Sequence, residues 1–247
     1  MADYDGIVLG AGHNGLIVQA YAVKAGLKVL ALERRDEIGG GLQTVEDPRF
    51  LGVRHNTHAV FHRAIDRMPW YHDLELAHHG CQYLEPDLNV ALILRDHRSL
   101  EWWRDFEKTA ASFAGFSRRD ADTLKRWHDA FVPIVENILV PEAQSPPLPA
   151  AERERLLRQS AEGRRLLEVS RLSPLEFVQQ EFEHPVIQAG LLFFNGLREV
   201  DLRTPGFGHH IPALLANPAK AQLARGGSAS LATALGNAIR AHGGEIC

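Results

Sequence analysis

The chain has 247 residues, of which 45% are hydrophobic and 23% charged, so it can bury the core of one large domain or two small ones. Its net charge is −4 at pH 7, and its arginine-rich run over residues 151–167 alternates acids with bases. This charge balance excludes a protein built around a basic nucleic-acid surface.

Cysteine content and apolar runs bear on location. The only cysteines, Cys81 and Cys247, are far apart, which fits a reducing compartment and predicts neither a disulfide framework nor a cysteine metal site. The N-terminal residues lack a basic segment followed by an apolar one, and no apolar run approaches the roughly 18 residues that cross a bilayer. We therefore predict a cytoplasmic protein and leave peripheral contact with a membrane open.

The N-terminal residues predict a strand, a helix and a second strand. The apolar run over residues 4–9 ends in glycine, as a buried strand does before a tight turn. The apolar residues of the next segment fall largely on one helical face, and Gly26 stands where that helix would end. The second buried strand, KVLALE, ends in Glu33. Together these elements predict a βαβ unit.

A glycine motif joins the first strand to the helix. Gly10, Gly12 and Gly15 have the spacing G-x-G-x-x-G, which lets the backbone approach a pyrophosphate at a helix N-terminus. The match alone is weak, but its place inside a βαβ unit is the context that the motif requires. The predicted cofactor loop consists of Gly10, Ala11, Gly12, His13, Asn14 and Gly15.

The end of the second strand completes this part of the predicted site. At its offset from the glycines, the Glu33 carboxylate can accept both hydroxyl hydrogens of an adenosine ribose, and it would repel the 2′-phosphate of NADP. The alternative for Glu33 is a solvated charge at a strand end. Arg34 is included in the site, and with Arg35 it leaves NADP open.

A second glycine cluster follows in the stretch DEIGGGLQT, residues 36–44. Residues 4–44 resemble the FAD-binding N-terminus of the phytoene desaturase and amine oxidase superfamily, especially its phytoene dehydrogenase-like oxidoreductases. In that family a G-G-x-x-x-[ST] loop passes beside the phosphate and ribityl portion of the flavin. The resemblance implies FAD as the cofactor, and a flexible glycine-rich turn is the alternative.

Most of the family's loop pattern is present. Gly39, Gly40 and Thr44 match it, whereas Gly41 stands where many members have arginine, so the phosphate region has one cation fewer. The resemblance adds five residues to the predicted cofactor site, namely Gly39, Gly40, Gly41, Leu42 and Thr44.

Beyond Thr44 the pattern changes. Residues 85–103 predict paired strands, and helices follow, one beginning after Ser117 and another after Ser173. This order resembles the substrate domain that the family inserts into its nucleotide domain. The predicted domains are residues 1–50 as the first part of the FAD-binding domain, 51–220 as the substrate-domain region, and 221–247 as a return to the FAD-binding domain.

The C-terminal residues predict a helix capped by Ser228 and the start of a third strand at 245–247. The predicted class is α/β, with a Rossmann-like FAD-binding βαβ unit and an inserted α+β substrate domain. A doubly wound sheet has about five or six strands, so we expect the sheet to be incomplete in this chain. A second polypeptide, or a C-terminal half missing from the sequence, would complete it.

The histidine-rich stretch RHNTHAVFH raises the question of a metal site. His55, His58 and His62 have a spacing that could place them on one helix face, but no cysteine or obvious carboxylate ligand accompanies them, so we predict no metal. The alternative is that they form a polar lining of the cleft at the start of the substrate-domain region. No side chain stands out as a catalytic base.

The resemblance implies an FAD-dependent oxidoreductase that transfers hydride from a largely apolar organic substrate to the flavin. Two alternatives stay open. One is a cofactor-free binding protein with the fold of the Rab GDP-dissociation inhibitors. The other is a simple NAD dehydrogenase, which would explain the first βαβ unit but not the stretch GGGLQT.

Overall fold

The computed structural model describes residues 3–196, 201–218 and 220–247. The chain divides into two compact units, Met1–Pro86 with Ala219–Cys247, and Asp87–Pro218. No helix within these described ranges is both long enough and apolar enough to cross a membrane.

The first unit begins with β1 (Gly6–Leu9), α1 (His13–Lys24), β2 (Val29–Leu32), β3 (Thr44–Glu46), β4 (Arg54–Asn56), β5 (His62–Arg63), a 3₁₀ turn (Ile65–Arg67), α2 (Pro69–Asp73) and β6 (Tyr83–Leu84). The second unit contains β7 (Leu88–Ile93), β8 (Ser99–Trp103), α3 (Phe106–Ala114), α4 (Arg118–Ile134), a π-helical turn (Val135–Leu139), α5 (Val140–Ala143), α6 (Ala150–Leu157), α7 (Ala161–Ser170), α8 (Pro174–Glu181), α9 (Pro185–Gly196) and α10 (His210–Ala216). The first unit then resumes with β9 (Ala221–Ala224), α11 (Ala229–Ala241) and β10 (Glu245–Ile246).

A parallel sheet with the order β1-β2-β10 organises the first unit. In the β1–β2 pair Ile7 lies opposite Leu30 and Leu9 opposite Leu32. Parallel neighbours need crossover connections, which α1 supplies between β1 and β2. This arrangement confirms the predicted α/β class with a Rossmann-like βαβ unit.

Helices α1 and α11 share one apolar core beside this sheet. The apolar face of α11 is buried, since Leu235 and Ile239 are fully inaccessible to solvent. Buried Gln19 on α1 ties the helix to the sheet, because its Nε2 donates to the carbonyl oxygens of Val29 at 3.1 Å and Glu245 at 2.8 Å. These bonds satisfy main-chain acceptors at the point where β2 and β10 meet.

The opposite face of this sheet is apolar and exposed. Exposed fractions are 58% for Ile7, 82% for Leu9 and 41% for Leu32. Because side chains alternate along a strand, these three lie on the face away from buried Val29 and Ala31. Within the described part of the chain, β1 is also an edge strand.

Two smaller sheets complete the first unit. Strands β3 and β4 form an antiparallel pair in which Thr44 lies opposite Asn56. Strand β9 pairs antiparallel with both β5 and β6, so the segment before α11 is flanked by residues from the N-terminal half of the unit. These two sheets lie between the glycine loops and the start of α11 in the fold of the first unit.

The second unit combines the β7–β8 hairpin with helices α3 to α10. The two strands pair antiparallel, as the alternation over residues 85–103 predicts. Ser173 accepts from the Glu176 N–H at the start of α8, and the Glu176 side chain accepts from the Ser173 N–H, which forms a capping box. Helix α4 has Ser117 as its N-cap and Pro133 inside it, and it continues as the π-helical turn.

A buried carboxylate holds the second unit together. Asp120 on α4 is completely buried, and its two oxygens accept from the N–H groups of Glu183 and His184, both at 2.9 Å. These amides belong to the turn between α8 and α9. A buried polar side chain is tolerated when hydrogen bonds satisfy it, and here Asp120 fixes that turn against α4.

We expect Asp120→Asn to lower the free energy of unfolding by about 2 kcal/mol, because one amide would face an NH₂ group and stay unpaired. Urea denaturation of both proteins measures this change. Asp122→Asn, on the exposed side of the same helix, serves as the control and should have little effect. Equal stability of the two variants would contradict the role given to Asp120.

Candidate dinucleotide-binding site

The backbone of the turn between β1 and α1 gives a physical reason for each glycine of the motif. Gly10 has φ of +91°, a conformation that L-residues rarely adopt. A Cβ on Gly15 would lie 2.4 Å from the Gly10 carbonyl oxygen, so only glycine lets the helix pass so close to the turn. A Cβ on Gly12 would meet no atom within 4 Å, so the space beside it is open to a ligand.

The N-terminus of α1 has the properties of an anion site. Gly12 is its N-cap and provides no side-chain cap, and the first turn contains no acidic residue. The first N–H groups of a helix lack partners within the helix, and the helix dipole adds positive potential there. His13 and Asn14 are both in this turn, and Asn14 is exposed. The arrangement fits a bound pyrophosphate.

Glu33 lies directly after β2 and faces the same turn. Its Oε2 accepts from the Ala11 N–H at 2.9 Å, and its Oε1 accepts from the Arg35 N–H at 3.2 Å. These two bonds lower the pKa of the Glu33 carboxyl, and the bond from the Ala11 N–H has the larger effect. An ionised carboxylate has about four acceptor sites, so Glu33 can still accept hydrogen bonds from ribose hydroxyls.

The second glycine loop lies against the first. The Gly39 N–H donates to the Ala11 carbonyl oxygen at 2.7 Å, and Gly39 forms an isolated bridge with Gly12. Gly39 and Gly40 both have positive φ, +108° and +60°. A Cβ on Gly40 would stand 3.2 Å from the Gly12 Cα. The two loops therefore form one backbone surface.

The remaining predicted residues of this loop differ in position. Gly41 lines the cleft described below, whereas Leu42 is only 6% exposed and belongs to the core. The Thr44 hydroxyl donates to Asn56 Oδ1 at 2.8 Å and accepts from the Ala229 N–H at 3.0 Å. The described contacts of Thr44 thus tie β3 and β4 to the start of α11.

This contact changes the predicted cap of α11. Ser228 stands at the N-cap position as predicted, but its side chain makes no capping bond. Its hydroxyl instead donates to the Ala59 carbonyl oxygen. Thr44 supplies the acceptor for the first helical N–H, so the expectation of a Ser228 side-chain cap is wrong.

A cleft of about 710 Å³ opens beside the loops, a volume typical of small-molecule sites. Of the predicted residues it brings together Gly10, Glu33, Arg34, Gly40 and Gly41. Sequence reasoning did not assign Leu32, Arg35, Glu37 and His58 to the site, although they also line it. Adjacency to Glu33 was the available signal for Leu32 and Arg35.

The histidines of RHNTHAVFH are not on a helix. His55 belongs to β4 and His62 to β5, so the expectation of a shared helix face is wrong. The Nε2 of His55 lies 3.1 Å from Asp47 Oδ2, a carboxylate that also binds Arg49. Among the residues with described positions, no group of three or more His, Cys, Asp or Glu could hold a metal ion.

Comparisons with known proteins agree with this geometry. Residues 8–73 match the family described as NAD(P)-binding Rossmann-like domain. A limonene dehydrogenase subunit from Castellaniella defragrans is 34% identical over 243 residues, which cover 98% of this chain and 44% of that protein.

Two solved structures share the fold over 98% of this chain. A variant of putrescine oxidase has a TM-score of 0.55 at 14% identity, with 50% of its chain covered. Rab GDI from Plasmodium falciparum has a TM-score of 0.57 at 12% identity, with 57% covered. The chain spans about half the length of the three proteins named here.

The fold and the two glycine loops define a Rossmann-like dinucleotide-binding domain. More particularly, the chain is similar over nearly its whole length to the limonene dehydrogenase polypeptide named above, and it shares its fold with putrescine oxidase. The predicted resemblance to the phytoene desaturase and amine oxidase superfamily is confirmed.

Proposed function

We propose that this chain is the dinucleotide-binding part of an FAD-dependent oxidoreductase. The observation that carries the proposal is the joined backbone surface, in which the Gly39 N–H donates to the Ala11 carbonyl oxygen at 2.7 Å beside the open N-terminus of α1. A pyrophosphate would bind the N–H groups that begin α1, and Glu33 would accept from the ribose hydroxyls. Bound FAD would supply a ring that accepts hydride.

The second loop is the reason for preferring FAD to NAD. A simple NAD site needs only the first βαβ unit, whereas here Gly39 and Gly40 adopt glycine-specific conformations against Gly12. Gly40 and Gly41 line the same cleft as Glu33, so the second loop forms part of the wall that a bound dinucleotide would contact. Arg34 and Arg35 also line the cleft and add cations near the anionic cofactor.

The proposed substrate is a largely apolar organic molecule oxidised by hydride transfer to the flavin. Support comes from the relative named limonene dehydrogenase, since limonene is a hydrocarbon. In this scheme the chain holds the cofactor and excludes water from its surroundings. A cytoplasmic location is part of the proposal, because both cysteines are free thiols, as in a reducing compartment.

We further propose that a second polypeptide, or a C-terminal half missing from the given sequence, completes the fold. The limonene dehydrogenase relative is named as a subunit, and this chain covers 44% of that subunit's length. The apolar sheet face formed by Ile7, Leu9 and Leu32 supports the same idea, because parallel sheets are covered on both faces.

The test is the colour of the protein purified from its native source with any accompanying polypeptide. Absorbance near about 450 nm, or its recovery on adding FAD, supports the proposal. A colourless protein that takes up neither FAD nor NAD would favour the cofactor-free binding protein. Uptake of NAD alone would favour the simple dehydrogenase.

We expect Glu33→Ala to weaken FAD binding about tenfold or more, because it removes the ribose acceptor and the partner of the Ala11 N–H. Titration calorimetry measures the affinity. Glu37→Ala is the matched control, since Glu37 lines the same cleft and its described bond is to the Gln43 side chain. Equal losses in both variants would point to a general charge effect.

The pH dependence has a defined sign. Because the pKa of Glu33 is lowered in the folded chain, its carboxylate stabilises the loop at pH values above its unfolded pKa, about 4.3. This contribution is lost as the pH falls through the folded pKa. Because Glu33 stays ionised between neutral pH and about pH 5, its titration should not change the FAD affinity of the wild-type protein over that range.

A further inference from the structure

His58 is an exposed histidine in the wall of the candidate cleft. It lines the cleft together with Gly40 and Gly41 of the second glycine loop. Among the residues with described positions, none forms a hydrogen bond or an ion pair with its imidazole. The ring nitrogens are therefore available to a ligand that enters the cleft.

Main-chain hydrogen bonds on both sides of His58 hold it beside the second loop. The Thr57 N–H donates to the Gln43 carbonyl oxygen, and the Ala59 N–H donates to the Gly41 carbonyl oxygen, both at 3.3 Å. These two bonds continue the antiparallel β3–β4 pair toward the loop. The backbone of His58 is thus held in place while its side chain stays exposed.

The second loop has no side-chain donor of its own, because residues 39–41 are three consecutive glycines. A Cβ on Gly41 would meet no atom within 4 Å, so the space beside this glycine is open. The two arginines that line the cleft directly follow Glu33, the residue assigned to the ribose. Within the described lining, His58 is therefore the one side-chain donor that comes from the segment bonded to the second loop.

An imidazole suits an oxygen ligand in either protonation state. The neutral ring has one N–H and the protonated ring has two, so a donor is present at any pH. The phosphate oxygens of a dinucleotide and the carbonyl oxygens of a flavin ring are acceptors. The second loop also lies against the proposed pyrophosphate site, since a Cβ on Gly40 would stand 3.2 Å from the Gly12 Cα.

We propose that His58 is a cofactor-binding residue whose imidazole N–H donates a hydrogen bond to an oxygen of the bound dinucleotide. In the proposed function the first amides of α1 bind the pyrophosphate and Glu33 binds the ribose, and the second loop offers backbone alone. His58 supplies the side-chain contact that the glycines of this loop cannot make. The inference rests on the proposed function and adds a residue to its site.

Four substitutions of His58 separate hydrogen bonding from packing. His58→Ala removes the ring, and His58→Phe keeps a planar ring without an N–H. His58→Gln and His58→Asn keep an amide donor near the positions of Nε2 and Nδ1 respectively. We expect the alanine and phenylalanine variants to bind FAD about tenfold more weakly, and one of the two amide variants to retain most of the affinity. Tenfold losses in both amide variants would overturn the assigned hydrogen bond.

Calorimetric titration with FAD measures these affinities on the full chain with any accompanying polypeptide. Because His58 is exposed and its ring has no described partner, we expect all four variants to unfold at the wild-type temperature. His55→Ala is the matched control, since His55 is an exposed histidine of the same stretch whose Nε2 lies 3.1 Å from Asp47 Oδ2. It should bind FAD like the wild type, and a loss equal to that of His58→Ala would overturn the inference.

A separate titration with ADP distinguishes the two sources of the acceptor oxygen. An equal loss for ADP and FAD in His58→Ala places the contact on the pyrophosphate, and a loss for FAD alone places it on the flavin half. Both results support the inference. Wild-type affinity of His58→Ala for both ligands would overturn it while leaving the proposed function intact. A wild-type protein that binds neither FAD nor ADP would overturn the proposed function, and the inference with it.

Discussion

Gly15→Ala is expected to lower the free energy of unfolding by about 3 kcal/mol and to abolish measurable FAD binding. The added methyl would stand 2.4 Å from the Gly10 carbonyl oxygen and 3.1 Å from Val8 Cγ1. The first neighbour is backbone and cannot rotate away, so β1 and α1 must separate. Their separation would dismantle the turn that presents the first N–H groups of α1. Urea denaturation and FAD titration measure the two effects.

Two other glycines of the same site serve as comparisons. A Cβ on Gly41 meets no atom within 4 Å, so Gly41→Ala should leave stability within about 0.5 kcal/mol of wild type. Gly12 is equally open in the unliganded chain, but its space is the one assigned to the pyrophosphate. Gly12→Ala should therefore fold normally and lose FAD affinity. Normal stability of Gly15→Ala would contradict the contact, and normal FAD binding by Gly12→Ala would contradict the pyrophosphate assignment.

The sequence-predicted parts of the fold are those whose causes are local. The positive φ of Gly10 and the close passage of Gly15 act within a few residues, and together with the apolar runs on both sides they predicted β1, α1 and β2. The predicted start of a helix after Ser173 is equally local, since both bonds of the capping box found there span three residues. Such features leave a pattern in the sequence because one short segment contains both partners.

The parts that sequence reasoning missed depend on distant partners. The cap of α11 comes from Thr44, which is 185 residues away from Ala229, and the Ser228 N–H donates to Asn56 across 172 residues. The sequence suggested Ser228 because its type and place suit a cap, but the folded chain brings a better placed acceptor. The sequence offered His62 as a metal ligand or as part of a polar cleft lining. Its contact with Tyr83 was missed, because it exists only once β5 and β6 flank β9.

The fold by itself does not select a function, because putrescine oxidase and Rab GDI share it at similar TM-scores. The difference must come from the site. A protein that only presents a surface has no physical need for an uncapped helix N-terminus, an open space at Gly12 and a carboxylate on the adjoining turn. These three features adjoin one another at the turn after β1, and that coincidence supports the proposed cofactor-dependent oxidoreductase.

Leu9→Asp is expected to weaken association with the completing polypeptide by a factor of about 100 or more. Leu9 is 82% exposed, so the substitution should leave the stability of the isolated chain unchanged. In the complete fold the same position would be covered, and an unpaired buried charge costs about 3–5 kcal/mol. Copurification of a tagged chain from its native source, followed by intact-mass measurement, detects the partner.

The control must expose a similar apolar side chain elsewhere on the same unit. Val18 on α1 is 62% exposed and lies outside the β1–β2 sheet face, so Val18→Asp should keep the partner. Loss of the partner in both variants would mean that added negative charge, rather than burial of the sheet face, disrupts the assembly. Retention of the partner by Leu9→Asp would show that Leu9 stays in water, and the apolar face would then need another explanation. Because β1 ends where the glycine loop begins, a partner that covers Leu9 would also restrict the entry of solvent to the cofactor cleft.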